Sequence, residues 1–325
     1  MSAYIITDIA SAAQALKAGQ LVAMPTETVY GLGANALDQK AVLKIFAAKN
    51  RPSFDPLIIH QSTAERILAF ASEVPEEANK LANEFWPGPL TLVLPKHPSV
   101  PDMVVSGLPA VALRVPDHPL ALDLLSRVDF PVAAPSANPF GFVSPTTAQH
   151  VKDQLGTRIS YILDGGPCRV GLESTIVAFP NGVATILRKG GLPIERIEQC
   201  LGHPLAVRTH GSSRPEAPGM LSKHYSPGNR LEIFDRLEEN QQLPAGAARI
   251  VFGRGGETIS YDDKRLITTY DLSPAGELPQ AAQQLFTILR LMAKHKYPFV
   301  FAELLPETGL GRAINDRLRR AAATD

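Results

Sequence analysis

Pro25-Thr26-Glu27-Thr28-Val29-Tyr30-Gly31-Leu32-Gly33, taken with Lys49-Asn50-Arg51-Pro52, is the stretch whose reading decides the fold. Before it runs Leu21-Val22-Ala23-Met24, a short apolar run with the character of a buried strand. Between the two pieces Val42, Ile45, Phe46 and Lys49 fall at i, i+3, i+4 and i+7. That spacing predicts a helix from Asp38 to Lys49, with Asp38 as its N-cap. The stretch thus reads as a strand, a loop rich in hydroxyls and glycine, a helix, and two cations at its far end. Hydroxyls and loose backbone N–H groups suit an oxyanion, and a Lys/Arg pair suits phosphate. A plain structural turn is the competing reading, since Gly and Thr are ordinary loop residues. Gly31-x-Gly33-x-x-Ala36 also has the spacing of a dinucleotide fingerprint, with Asp55 about twenty residues on. That fingerprint needs its first glycine at the strand end and a helix opening inside the motif. Here Pro25 to Tyr30 intervene, and Asn35 and Asp38 put the helix start later.

A chain of 325 residues, 45% hydrophobic and 20% charged, suits two globular domains better than one. Lys+Arg and Asp+Glu both number 32. That balance excludes a bulk nucleic-acid coat and leaves any polyanion binding local. No apolar run approaches about 20 residues, so no membrane contact through a span is expected. Met1 to Tyr4 lack the parts of a signal peptide. Cys168 and Cys200 cannot build a disulfide framework or a four-thiolate zinc site, and read as free thiols in a reducing cytoplasm.

Apolar runs at Leu57–His60, Leu90–Leu94, Val111–Val115, Pro131–Ala134 and Tyr161–Leu163 read as strands, alternating with helical patterns. Ser62-Thr63-Ala64-Glu65 has the form of a capping box, and Ser144-Pro145-Thr146 reads as opening a helix through Leu155. Ser174–Val177 and Val183–Leu187 read as a strand pair joined by Pro180-Asn181-Gly182. The alternation predicts a twisted, mixed-sheet α/β domain over residues 1–201. From 202 to 230 His, Pro, Gly and Ser dominate without period, which marks a linker. Between Arg188 and Arg230 seven Lys or Arg face three Glu, so the linker is locally positive. It is read as a lid or a solvated tether. Residues 231–325 restart regular structure as a smaller, Rossmann-like α/β domain. There Gly253-Arg254-Gly255-Gly256 is read as a tight turn before a phosphate cradle.

Polar groups sit where the first domain's apolar runs stop: Thr26, Thr28, His60, Arg114, Ser136, Asn138, Ser144 and Ser174. In open α/β sheets ligands bind outside strand ends, so these residues are candidates to converge. Arg114 must find an anion, in a structural ion pair or in a ligand. His60 is equally a core histidine or a ligand contact. Signatures of P-loops, zinc proteases, serine hydrolases and kinases are absent. What is left is a cationic, hydroxyl-lined pocket, and phosphoryl or nucleotidyl transfer can run on positioning and charge stabilisation alone.

Pro25 to Leu32, Lys49-Asn50-Arg51-Pro52, Pro56 to His60, Trp86-Pro87-Gly88-Pro89-Leu90-Thr91, Arg114-Val115-Pro116, Ala134 to Asn138, Ser144-Pro145-Thr146 and Gly171 to Ile176 together resemble the threonylcarbamoyl-AMP synthase family. Ala217-Pro218-Gly219-Met220 with Lys223-His224-Tyr225 resembles the linker of its longer form, a YrdC-like domain plus a C-terminal domain. The resemblance implies a nucleotidyltransferase that converts ATP, bicarbonate and L-threonine to threonylcarbamoyl-adenylate and pyrophosphate. It implies Lys49 and Arg51 as catalytic, and Lys49, Arg51, Asp55, Asn138, Ser144, Arg188, His224 and Tyr225 at ATP. Thr28, His60, Arg114, Ser136 and Ser174 would hold threonine, with Arg114 on its carboxylate. Magnesium would be carried by ATP, with no metal ligand set of the protein's own. Implied partners are downstream tRNA threonylcarbamoyl-transferase proteins and a weak contact with RNA. Asp55 stands where many members carry Asn, which puts a carboxylate near the phosphates or the magnesium. Ala178 replaces a usual Asp, and Leu221-Ser222 a more polar or aromatic pair. An RNA-binding module and a carbamoyl-transfer enzyme relative are the other function classes.

Overall fold

The computed structural model describes residues 3–208, 225, 228, 230–238, 241–263 and 266–323. Contacts divide the chain into two compact units. The first holds Met1–Phe140, Ser144–Arg169 and Glu173–Leu221, and the second Gly141–Val143, Val170–Leu172 and Ser222–Asp325.

The described residues of the first unit form one eleven-stranded mixed sheet. Its spatial order is Tyr4–Ile6, Tyr161–Leu163, Val22–Met24, Gly31–Asn35, Val132–Ala133, Ile58–His60, Ala110–Arg114, Leu90–Pro95, Thr175–Ala178, Thr185–Arg188, Ala206–Val207. The glycine-rich stretch is therefore not loop throughout. Gly31–Asn35 is a strand, antiparallel to Val22–Met24 on one side and to Val132–Ala133 on the other. A Cβ on Gly33 would stand 3.0 Å from Val132 Cγ1 and 3.1 Å from the Val22 carbonyl oxygen. Glycine is thus set by close strand packing, not by a phosphate, and the dinucleotide fingerprint falls away with it.

Gln39–Lys49 is the expected helix, with Asp38 accepting from the Lys40 N–H as N-cap. It ends at Asn50 in the left-handed conformation, φ 52°. Ser62 does not cap the next helix: Thr63 does, one residue later, accepting from Arg66 N–H ahead of Ala64–Leu68. Likewise Thr147, not Ser144, caps Ala148–Leu155. The threonine in each case reaches the N3 amide, which the preceding serine is too far back to meet. The predicted strand pair is antiparallel, Thr175–Ala178 against Thr185–Arg188, and Ala206–Val207 extends the sheet beyond Leu201. Helices cover the sheet through apolar faces such as Leu16, Ile45, Leu81, Leu124 and Val151, all at or near zero exposure.

In the second unit, Leu231–Phe234, Val300–Glu303, Ala248–Val251 and Ile267–Asp271 are parallel neighbours, and Ile259–Asp262 is an antiparallel edge. Leu278–His295 and Leu310–Ala322 are its helices. A mostly parallel sheet with long helices agrees with the expected smaller α/β unit.

Candidate active site

The Pro25–Tyr30 segment is tied by backbone bonds to two other loops of the first unit. Tyr30 N–H donates to the Pro145 carbonyl (2.9 Å), Ala137 N–H to the Tyr30 carbonyl (2.8 Å) and Leu32 N–H to the Pro135 carbonyl (2.7 Å). Segments distant in sequence thereby bring Thr28, Ser136, Asn138 and Ser144 into one neighbourhood. Thr26 holds its own loop: its hydroxyl donates to the Val29 carbonyl (2.7 Å) and lies 2.8 Å from Thr28 Oγ1. With that proton committed, Thr28 is the donor between the two hydroxyls.

Lys49 is the last residue of its helix, yet only 1% exposed. Its Nζ donates to the carbonyls of Ser136 (2.5 Å) and Asn138. Arg51 donates through Nε to the Asp55 carbonyl (3.1 Å) and through Nη2 to that of Pro56 (2.8 Å), and pairs with Asp55 Oδ2 at 2.9 Å. Lys49 and the Arg51 side chain (6% exposed) are buried because backbone carbonyls take the place of water on their N–H groups. Burial, then the charge of Arg51, pushes the Lys49 ammonium well below its ordinary value, with Asp55 opposing. Burial lifts the Asp55 carboxyl, while Arg51, Lys49 and Arg188 pull it down. Three cations thus act on one carboxylate.

Arg188 donates through Nε to the Ser174 carbonyl and through Nη2 to Ser174 Oγ, both at 3.0 Å. Ser174 Oγ also lies 2.7 Å from Thr91 Oγ1. Gly190 packs so tightly on this turn that a Cβ would lie 2.4 Å from Glu173 O and Ser174 C. Ser144 Oγ donates to Glu173 Oε1 at 2.6 Å, so toward a ligand it can only accept.

His60 and Arg114 are register partners at the ends of neighbouring parallel strands. Arg114 Nε donates to the Gly88 carbonyl (3.3 Å), and Nη2 stands 2.8 Å from Glu27 Oε1. Both readings of Arg114 thus stay in view, since it has a structural carboxylate beside a cluster of ligand-type groups. His60 Nδ1 faces the Val132 carbonyl at 3.4 Å. A carbonyl only accepts, so Nδ1 carries the proton and Nε2 is left as an acceptor. Burial and the neighbouring Arg114 charge push His60 down to about 3, which keeps it neutral.

Not every candidate gathers here. His224 lies outside the described residues. Tyr225 belongs to the second unit, where its ring stacks on Phe286 (centroids 5.4 Å apart) and lies under the Arg317 guanidinium at 5.4 Å. Sequence reasoning assigned no role to Glu27, Thr91 or Glu173. Their partners are Arg114, Ser174 and Ser144, and the pairing signal is tertiary in each case. No three His, Cys, Asp or Glu side chains gather as a metal cage among the described residues. No described helix is long and apolar enough to cross a membrane.

Known proteins resemble the chain along most of its length. Residues 14–190 match the Sua5/YciO/YrdC protein-family model, described as "Telomere recombination". Residues 192–323 match the model described as "Threonylcarbamoyl-AMP synthase, C-terminal domain". The chain is 42% identical to a Pyrococcus abyssi protein named threonylcarbamoyl-AMP synthase, over 96% of this chain and 93% of that one. It is 40% identical to a Bacillus subtilis protein of the same name, over 97% and 92%. The crystal structure of P. abyssi Sua5 complexed with L-threonine is similar at a TM-score of 0.87 and 39% identity, covering 97% of this chain and 94% of that one.

Proposed function

We propose the function on one premise: the chain belongs to the threonylcarbamoyl-AMP synthase family. It is a nucleotidyltransferase that joins L-threonine, bicarbonate and ATP into threonylcarbamoyl-adenylate and releases pyrophosphate. The product serves threonylcarbamoyl-adenosine modification of tRNA beside the anticodon. The observation that carries the reading is Lys49 and Arg51 held side by side, Lys49 by two backbone carbonyls and Arg51 by two more and by Asp55. A polyanion would supply the counter-charge that carbonyls do not, and a bound triphosphate would raise the lowered pKa of the Lys49 ammonium.

Each residue then has a task. Arg114 takes the threonine carboxylate, His60 Nε2 accepts from the threonine hydroxyl, and Thr28, Ser136 and Ser174 complete that pocket. Asn138, Ser144 and Arg188 position the nucleotide, Ser144 as an acceptor. Threonine's amine attacks bicarbonate and water leaves to give a carbamate, whose oxygen attacks the α-phosphorus as pyrophosphate leaves. Lys49 and Arg51 face the charge that develops there, and no enzyme nucleophile is required. Magnesium would be carried by ATP, where it would supply charge neutralisation at phosphate oxygens, and Asp55 is the carboxylate that would hold it. The lid expected over residues 217–225 rests on the sequence alone, since 217–224 lie outside the described residues and Tyr225 is buried against Phe286 in the second unit. Limited proteolysis tests the lid: ATP with threonine should slow cleavage there, and an unchanged rate removes it. The enzyme works in the cytoplasm, passes its product to tRNA threonylcarbamoyl-transferase proteins, and meets RNA at most weakly.

The decisive assay is pyrophosphate release from ATP, omitting threonine and bicarbonate in turn. Full turnover is expected only with both. Serine, one methyl short, should be slower by a factor worth about 1–3 kcal/mol. Equal turnover with glycine would contradict the threonine pocket.

A further inference from the structure

Glu27 sits in the middle of the hydroxyl-rich loop and is fully buried, at 0% exposure. A carboxylate in such a place needs donors or opposite charge on its oxygens. Glu303 and Asp271 of the second unit meet that need, since every one of their oxygens accepts a backbone N–H. Glu27 does not. Arg114 Nη2 stands 2.8 Å from its Oε1, but the two are misaligned for a hydrogen bond, and Oε2 has no donor among the described residues. Charge alone holds the pair. His118 lies close enough to feel the Glu27 charge, and its Nδ1 also lacks a partner among the described residues. An enclosed acceptor without a donor among the described residues thus lies beside the residue assigned to the substrate carboxylate.

The pair has the polarity of an α-amino acid, which carries a carboxylate and an ammonium on one carbon. Resting on the threonine reading of this site, we propose that Glu27 binds the amino group of the amino-acid substrate while Arg114 binds its carboxylate. Before substrate enters, the two side chains neutralise one another. The zwitterion exchanges that contact for two, and the buried charge stays balanced throughout. Oε2 gains the N–H it lacks. The nitrogen that must reach the bicarbonate carbon is thereby fixed in place, and Glu27 becomes the element that selects an amine over a hydroxyl at that position.

The test measures calorimetric binding to the full chain of L-threonine and of 2,3-dihydroxybutyrate, the analogue with a hydroxyl in place of the amine. Wild type should hold threonine more tightly. Glu27→Gln should weaken threonine roughly ten- to a hundred-fold, the weight of a hydrogen bond to a charged group. The analogue's affinity should not change, so the preference collapses. Equal weakening of both ligands would make Glu27 only a brace for Arg114 and overturn the proposal, as would unchanged threonine binding. A wild-type chain that binds no threonine overturns the threonine reading and this inference together. Should Glu27→Gln fail to fold, Glu27→Asp keeps the charge at a shorter reach. It is expected to bind threonine less tightly while still preferring it, and loss of that preference with the charge retained counts against the proposal.

Discussion

Both sheets collect charged side chains where their strands end, and they dispose of the charge in different ways. In the first unit Lys49 donates to backbone carbonyls, Arg188 to the carbonyl and hydroxyl of Ser174, and both act with Arg51 on the single carboxylate Asp55. In the second unit Arg254 pairs with Glu303, while Glu303 and Asp271 accept the backbone N–H groups of Leu237, Phe252, Gly253 and Arg254. The Gly253-Arg254-Gly255-Gly256 turn therefore has its first two amides already occupied by Asp271 and is no phosphate cradle. A cleft of about 600 Å³ does open beside Glu303 and Arg254. In the first unit Lys49 is held by neutral carbonyls while Arg51 and Arg114 each face a carboxylate, and in the second Arg254 is cancelled by Glu303, whose oxygens also fix the loops.

Substitutions sharpen the contrast. The largest effects belong to the first unit. Lys49→Met, which keeps the buried stem, should cut pyrophosphate release about 10²–10³-fold, the usual weight of one charge-stabilising donor. Arg51→Ala should do the same and also lower stability by about 3–5 kcal/mol in urea unfolding, because it strands Asp55 in a buried site. Wild-type rates in either variant would break the distinction. Arg114→Ala should raise the KM for threonine roughly ten- to a hundred-fold, with little change for ATP. An unchanged threonine KM would return Arg114 to a purely structural pair with Glu27.

The second unit should behave in the opposite way. Arg254→Ala is expected to lose about 1–3 kcal/mol of stability, with turnover per folded molecule unaltered. A selective loss of turnover would show that its charge serves a ligand after all. Acid gives a further effect. His60 is held neutral down to about pH 3 in the folded chain, against about 6.5 unfolded. Between those values the unfolded chain binds a proton that the folded one refuses, so stability falls as pH drops through that window. His60→Gln should flatten this limb in melting curves from pH 7 to pH 4, and an unchanged slope would place a charged histidine in the pocket.

Much of the site was legible in the sequence. Lys49 and Arg51 follow a helix whose period and cap are local, and Ser136 with Asn138 follows a short apolar run, so each could be placed from its neighbours. The Ser62 and Ser144 helix starts were misplaced because two hydroxyls compete for each cap, and only the reach to the N3 amide decides between them. The burial of Lys49 was not legible, since the carbonyls that accept from it belong to a loop far along the chain.

The sequence by itself determined the alternation of strands and helices, the two units, and the residue types at the strand ends, all of which rest on short-range periodicity. Only the tertiary structure decided that Gly31–Asn35 is a strand. Glycine has little preference for one, and the hydrogen bonds that make it so come from Val22–Met24 and Val132–Ala133. It also decided which charge meets which. Glu27 with Arg114, Ser144 with Glu173 and Arg188 with Ser174 are joined by desolvation, which forces each buried polar group to the nearest partner in space wherever that partner lies in the chain.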